Sequence, residues 1–195
     1  MVEWTSWVHE QGMLAEFLVI DEEMDVTMYL LSQVEPSGHQ QLWASFSNSE
    51  RVQIADLWGT RIARGDGWYI PNATNWHWDS IGVEHLSGRH LRHEEGQLVQ
   101  ASIDENQLDS NFDLYTDLVG RGVLLRPGFK YGSRWRVYET PVGNAHAPWL
   151  IQPHEDAPRT WEAACLAVRL SEGVHKMWLC ALPFHDRWFY LHMQR

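Results

Sequence analysis

The chain has 195 residues, 44% of them hydrophobic and 21% charged, with a formal charge of −11; this is the composition of a globular protein long enough to bury a core. No apolar run approaches the roughly 18 residues that span a bilayer, and MVEWTSWVHE lacks the basic-then-apolar order of a secretory signal. Two cysteines, Cys165 and Cys180, sit in apolar surroundings and build no disulfide framework, which predicts an intracellular protein with reduced thiols.

The acidity is confined to one half. Residues 1–105 hold five Lys/Arg against seventeen Asp/Glu, a net of −12, while residues 106–195 hold ten against nine, a net of +1. An acidic total argues against nucleic acid, but this asymmetry restores it as a partner for the second half. From Leu118 to Tyr138 there are five cations and no carboxylate.

No internal repeat or low-complexity segment is evident. LAEFLVI and VTMYLLSQV, separated by the acidic DEEMD, predict a hairpin. SNSERVQIADLWGTRIARG opens on capping residues, carries apolar positions at helical spacing and ends in glycine, so it predicts a helix. Residues 66–100 are rich in Gly, Trp and His and receive no assignment. ASIDENQLDS, at 101–110, is polar and turn-prone and is the candidate linker. The expected organisation is an acidic α+β domain at 1–105, for packing and assembly, and a second domain at 106–195.

In the second half Ser110 is a candidate cap for a helix through about Val119, with Phe112, Tyr115, Leu118 and Val119 on one face. VLLRPG predicts a strand into a turn. SRWRVYE alternates, so Trp135 and Val137 face one way while Arg134, Arg136 and Tyr138 face the other. HAPWLIQ predicts a further strand, and Thr160 suits the cap of WEAACLAVRLSEG. KMWLCAL and RWFYLHM predict two closing strands joined by PFHD.

Tyr138 at a strand end, His146 after a turn and Lys176 at a helix exit are element-end positions that commonly present functional groups. Each alone has an ordinary surface explanation. In order, with their framing glycines and apolar strands, they resemble the tRNA-splicing (tRNA-intron) endonucleases, most nearly the archaeal catalytic subunits. The resemblance is carried by DLVGRGVLLRPGFKYGSRWRVYE, HAPWLIQ, RLSEGVHKMWLCAL and WFYLHMQR, about the last 85 residues in register. It implies an α/β catalytic domain related to restriction endonucleases, with a mixed sheet and flanking helices. It also implies Tyr138 as general base, His146 as general acid and Lys176 as the cation beside the phosphorane. Two arginines are implied to sandwich an extruded base: Arg169 and Arg195, with Arg187 as the alternative to Arg195. Lys130, Arg134 and Arg136 supply a basic face for the RNA backbone.

The implied reaction is excision of introns from precursor tRNA at bulge-helix-bulge sites, leaving 2′,3′-cyclic phosphate and 5′-hydroxyl ends. RNA carries its own nucleophile, the 2′-hydroxyl, so no metal and no cofactor is expected. His146 suits an acid because imidazole titrates near 6.5, whereas a phenol titrating near 10 is a poor base, so Tyr138 takes its role from the resemblance alone. Implied partners are precursor tRNA and either a second copy, in a dimer or tetramer, or a paralogous subunit; no membrane is implied, and the archaeal setting implies the cytoplasm. In the family an acidic loop before the last strand docks on a neighbour; here PFHD offers only Asp186. The alternative is a non-catalytic structural or RNA-binding subunit. A rival cluster, His85, His90, His93 and Glu94, offers His90 and His93 on one helical face, but no cysteine completes a structural zinc site; it is read as solvated histidine, with metal binding the minor alternative. Glu172 and Lys176 are four apart, so the Glu-x-Lys of metal-dependent nucleases is absent. The tryptophans of NWHWD are read as core.

Overall fold

The computed structural model describes residues 2–104 and 114–195. Helix α1 (Val2–Glu10) leads into the hairpin of β1 (Ala15–Ile20) and β2 (Val26–Gln33), which turns on the acidic segment as its alternation requires. Helix α2 (Asn48–Gly59) begins at a reciprocal capping box, with the Ser47 hydroxyl accepting from the Glu50 amide and Glu50 reaching back to Ser47. It stops at Gly59, short of the glycine expected to end it, because Ile62–Arg64 leave the helix to form β3.

The unassigned segment is a small antiparallel sheet. It contains β4 (Gly67–Ile70), β5 (Val83–His85) and β6 (Gly88–Leu91), in the order β3-β4-β6-β5. Helix α3 (His93–Ile103) follows, so the first three residues of the expected linker are helical, and the rest beyond Asp104 lies outside the described residues, as do Ser110 and Phe112. Trp76 and Trp78 of NWHWD are buried.

The second half contains α4 (Leu114–Gly120), β7 (Leu124–Pro127), β8 (Trp135–Tyr138), β9 (Trp149–Pro153), α5 (Trp161–Glu172), β10 (Met177–Phe184) and β11 (Arg187–Gln194). Thr160 caps α5, its hydroxyl accepting from the Ala163 amide at 3.3 Å. Pro183 and Phe184 belong to β10, which leaves only His185 and Asp186 in the turn, with His185 left-handed. Seven strands form one mixed sheet in the order β1-β2-β11-β10-β9-β8-β7. Only β9 and β10 run parallel within it, and α5 makes the crossover that parallel strands require.

Strands β9 to β11 are buried on both faces, and alternation sorts their side chains. Trp149, Ile151, Leu179, Ala181, Trp188 and Tyr190 join the core shared with α2, α3 and α4. Leu150, Trp178, Cys180, Phe189 and Leu191 join a second core with Val8 of α1 and Val168 of α5. The sheet also crosses the residue-105 boundary, since β2 of the acidic half pairs with β11 of the basic half.

That pairing uncovers a repeat that the sequence conceals. Leu30 lies opposite Gln194 and Gln33 opposite Leu191, so β2 and β11 meet about a local two-fold, each preceded by an antiparallel strand and a helix. The helix exits match as well. The Met13 amide bonds Val8 after left-handed Gly12, and the Lys176 amide bonds Ser171 after left-handed His175. Counting from these exits, Met13 stands where Lys176 stands. The chemistry of the helix exit is therefore present once. On the hairpin itself, Leu18, Ile20, Val26 and Met28 make an exposed apolar group at the edge of the sheet.

Candidate active site

The segment GFKYG closes on its first glycine. The Gly128 amide donates to the Arg134 carbonyl at 2.9 Å, and its carbonyl accepts from the Tyr131 amide at 2.8 Å. A Cβ at Gly128 would fall 2.5 Å from the Ser133 hydroxyl, which is why this position takes glycine. Gly132 is left-handed at φ 67° and ends the turn. The result leaves Phe129 and Lys130 exposed and packs Tyr131 against the second core.

Tyr138 ends β8 opposite Leu124 and is buried in a small apolar cluster with Leu124 and Ala147. Lys176 reaches the same place from the end of α5, its ammonium donating to the Ala147 carbonyl at 2.6 Å. His146 is exposed and immediately precedes Ala147, at the entry to β9. Three elements thus come together around one residue: Ala147 shares the small buried cluster of Tyr138, accepts from the Lys176 ammonium and follows His146 in the chain. Burial, and then the nearby Arg136 charge, hold the Lys176 ammonium below the usual lysine range. Arg136 lies two residues before Tyr138, its Nε donating to the Pro127 carbonyl at 3.0 Å. Its guanidinium sits 5.9 Å from the ring centroids of both Tyr131 and Tyr138.

Arg169 and Arg195 also come to this end of the sheet, because β10 begins where antiparallel β11 ends. Both charges act on the buried Tyr29 phenol, which burial above all pushes up to about 12 against their opposing pull. The Arg195 amide donates to Glu172 at 2.8 Å. Arg187 opens β11 opposite Phe184, and at a strand rise of ~3.3 Å per residue it lies roughly 25 Å from Arg195. It does not join the group. Arg134 also departs from the expected basic face: it precedes β8, pairs with Glu94 at 3.0 Å and lies over Trp135.

The histidine cluster does not assemble. His90 lies in β6 and His93 opens α3, so they share no helical face; His93 stacks on Trp68, and Glu94 is taken by Arg134. His85 and His90 line a shallow cavity of about 460 Å³ with Tyr69 and Arg64. Among the described residues no group of three metal-ligating side chains forms, and no helix is long and apolar enough to cross a membrane. The sequence reading missed Tyr131 and Ala147. An aromatic set between the two glycines of a turn was the signal for the first; nothing local marks an alanine whose carbonyl binds an ammonium.

Residues 108–187 match the protein family described as the tRNA intron endonuclease, catalytic C-terminal domain. Among curated proteins, the tRNA-splicing endonuclease of Thermoplasma volcanium is 26% identical over 160 residues, 82% of this chain and 48% of that protein. That of Methanococcoides burtonii is 27% identical over 214 aligned residues, 96% of this chain and 59% of the relative. That of Hyperthermus butylicus is 39% identical over 72 residues, 36% of this chain and 40% of the relative. The chain spans about half the length of the first two. The matched segment contains Tyr138, His146, Arg169 and Lys176, so the part of the chain that carries these residues is similar to the catalytic domain of the tRNA intron endonucleases.

Proposed function

We propose that this chain is an RNA endonuclease that excises introns from precursor tRNA at bulge-helix-bulge sites without a metal. The observation that carries this is the convergence of Tyr138, His146 and Lys176 on Ala147, with cations around them. The substrate 2′-hydroxyl attacks the adjacent phosphorus as Tyr138 takes its proton. The bond to the 5′ oxygen breaks as His146 donates a proton to it, and Lys176 offsets the charge on the phosphorane. The products are a 2′,3′-cyclic phosphate and a 5′-hydroxyl. Arg169 and Arg195 present guanidinium planes for an extruded base, a contact that tolerates any base and so reads RNA shape. Incubation with a bulge-helix-bulge RNA in EDTA tests the reaction. Cleavage at both junctions with cyclic-phosphate ends is the expected result; cleavage that needs a divalent metal overturns the metal-free route.

The acidic half is proposed to serve packing and assembly. Leu18, Ile20, Val26 and Met28 leave an exposed apolar group on the hairpin at the edge of the sheet, a feature that marks interaction surfaces. Mass measurement in solution is expected to show an assembly larger than the 22.8 kDa chain. A stable monomer that cleaves only after addition of a paralogous chain favours the structural-subunit reading instead.

A further inference from the structure

The site brings two cations close together in an environment that penalises charge. Lys176 is half-buried and faces the repulsion of Arg136, while its ammonium donates to a neutral carbonyl, that of Ala147. The ring of Tyr131 is a neighbour that both cations share. The Lys176 ammonium is 5.8 Å from its centroid and the Arg136 guanidinium 5.9 Å. Both distances are within the range of about 6 Å over which an aromatic quadrupole attracts a cation. The ring is not a loose surface group. It packs against the core containing Leu150, Val168 and Trp178, which belong to the three elements that carry Ala147 and Lys176 toward the site.

We propose that Tyr131 is a positioning residue: its core-anchored ring holds Lys176 and Arg136 side by side, as a ready pair of cations for the scissile phosphate. The phosphate clause rests on the endonuclease reading; the cation-holding clause does not. The hydroxyl of Tyr131 has no part in this role. Its π-face does, and the turn closed on Gly128 aims that face.

The test begins on the free protein, by following the Lys176 side chain through its titration by NMR. In Tyr131→Leu the ammonium loses the ring that favours its charged form, so its midpoint falls by about half a unit. Tyr131→Phe restores the wild-type titration. If the leucine variant does not fold, pentafluorophenylalanine at position 131 retains the shape while reversing the quadrupole, and the same fall is expected. An unchanged titration in the leucine variant, or in the fluorinated one, overturns the proposal. With bulge-helix-bulge RNA, Tyr131→Leu lowers kcat more than it raises KM, and phenylalanine restores it. A purely structural role moves neither the titration nor that ratio. A titration that shifts in a protein that cleaves no RNA supports the positioning role and sinks the endonuclease reading alone.

Discussion

Replacing His146 with alanine slows cleavage of a bulge-helix-bulge RNA by about 10²–10⁴-fold, the usual worth of a positioned general acid, and leaves RNA affinity nearly intact. His146 is exposed and has no packing role, whereas the neighbouring Ala147 makes the buried contacts with Tyr138 and Lys176. Removing the imidazole therefore deletes a proton donor without disturbing the other two groups. Single-turnover rates at saturating RNA measure the loss, and binding of an uncleavable 2′-deoxy RNA measures affinity. An unchanged rate refutes the assigned role. A parallel loss of rate and affinity assigns His146 to binding instead.

Replacing Glu95 with alanine destabilises the fold by about 3–5 kcal/mol, because it removes one partner of a buried ion group. Glu95 is 1% exposed. Its Oε1 faces Arg92 at 3.2 Å and Arg126 at 3.4 Å and accepts from the Gly82 amide, while Oε2 accepts from the Arg92 amide at 2.8 Å. Burial works against the charge on both arginines. At Arg92 the carboxylate more than restores it, whereas Arg126 stays below its usual range. Alanine leaves both guanidinium groups short of their counter-charge. Glutamine keeps the shape and part of the hydrogen bonding, so Glu95→Gln loses less. Urea denaturation measures both, through the midpoint at constant slope. A loss below about 1 kcal/mol for alanine, the scale of an exposed pair, refutes this account. Glu95 also ties α3 to Arg126 of β7, the strand that pairs with β8 and its Tyr138, so the loss of stability reaches the site from the acidic half.

Local chemistry was enough for the elements that bury a regular stripe. Period-two alternation marked β8, short apolar runs marked β10 and β11, and the capping residues from Ser47 and at Thr160 marked the starts of α2 and α5. The segment over residues 66–100 was illegible because its strands are three or four residues long, and a period of two cannot establish itself over so few positions. Arg134 was misplaced for a related reason. Alternation assigns a face only inside a strand, and β8 begins one residue later, which frees Arg134 to reach Glu94 across the fold.

By itself the sequence determined the order of strands and helices in the second half, the separation of charge between the halves, and the resemblance that singled out Tyr138, His146 and Lys176. Only the tertiary structure decided that Tyr138 and Lys176 come together at Ala147, the residue after His146, that Arg195 rather than Arg187 stands near Lys176, that Tyr131 lies against two cations, and that β2 pairs with β11 as half of a hidden repeat. The physical reason is one of range. Propensity, capping and alternation act over a few residues, whereas these contacts join positions from 5 to more than 160 apart in the chain, and sheet register and core packing alone bring such positions together.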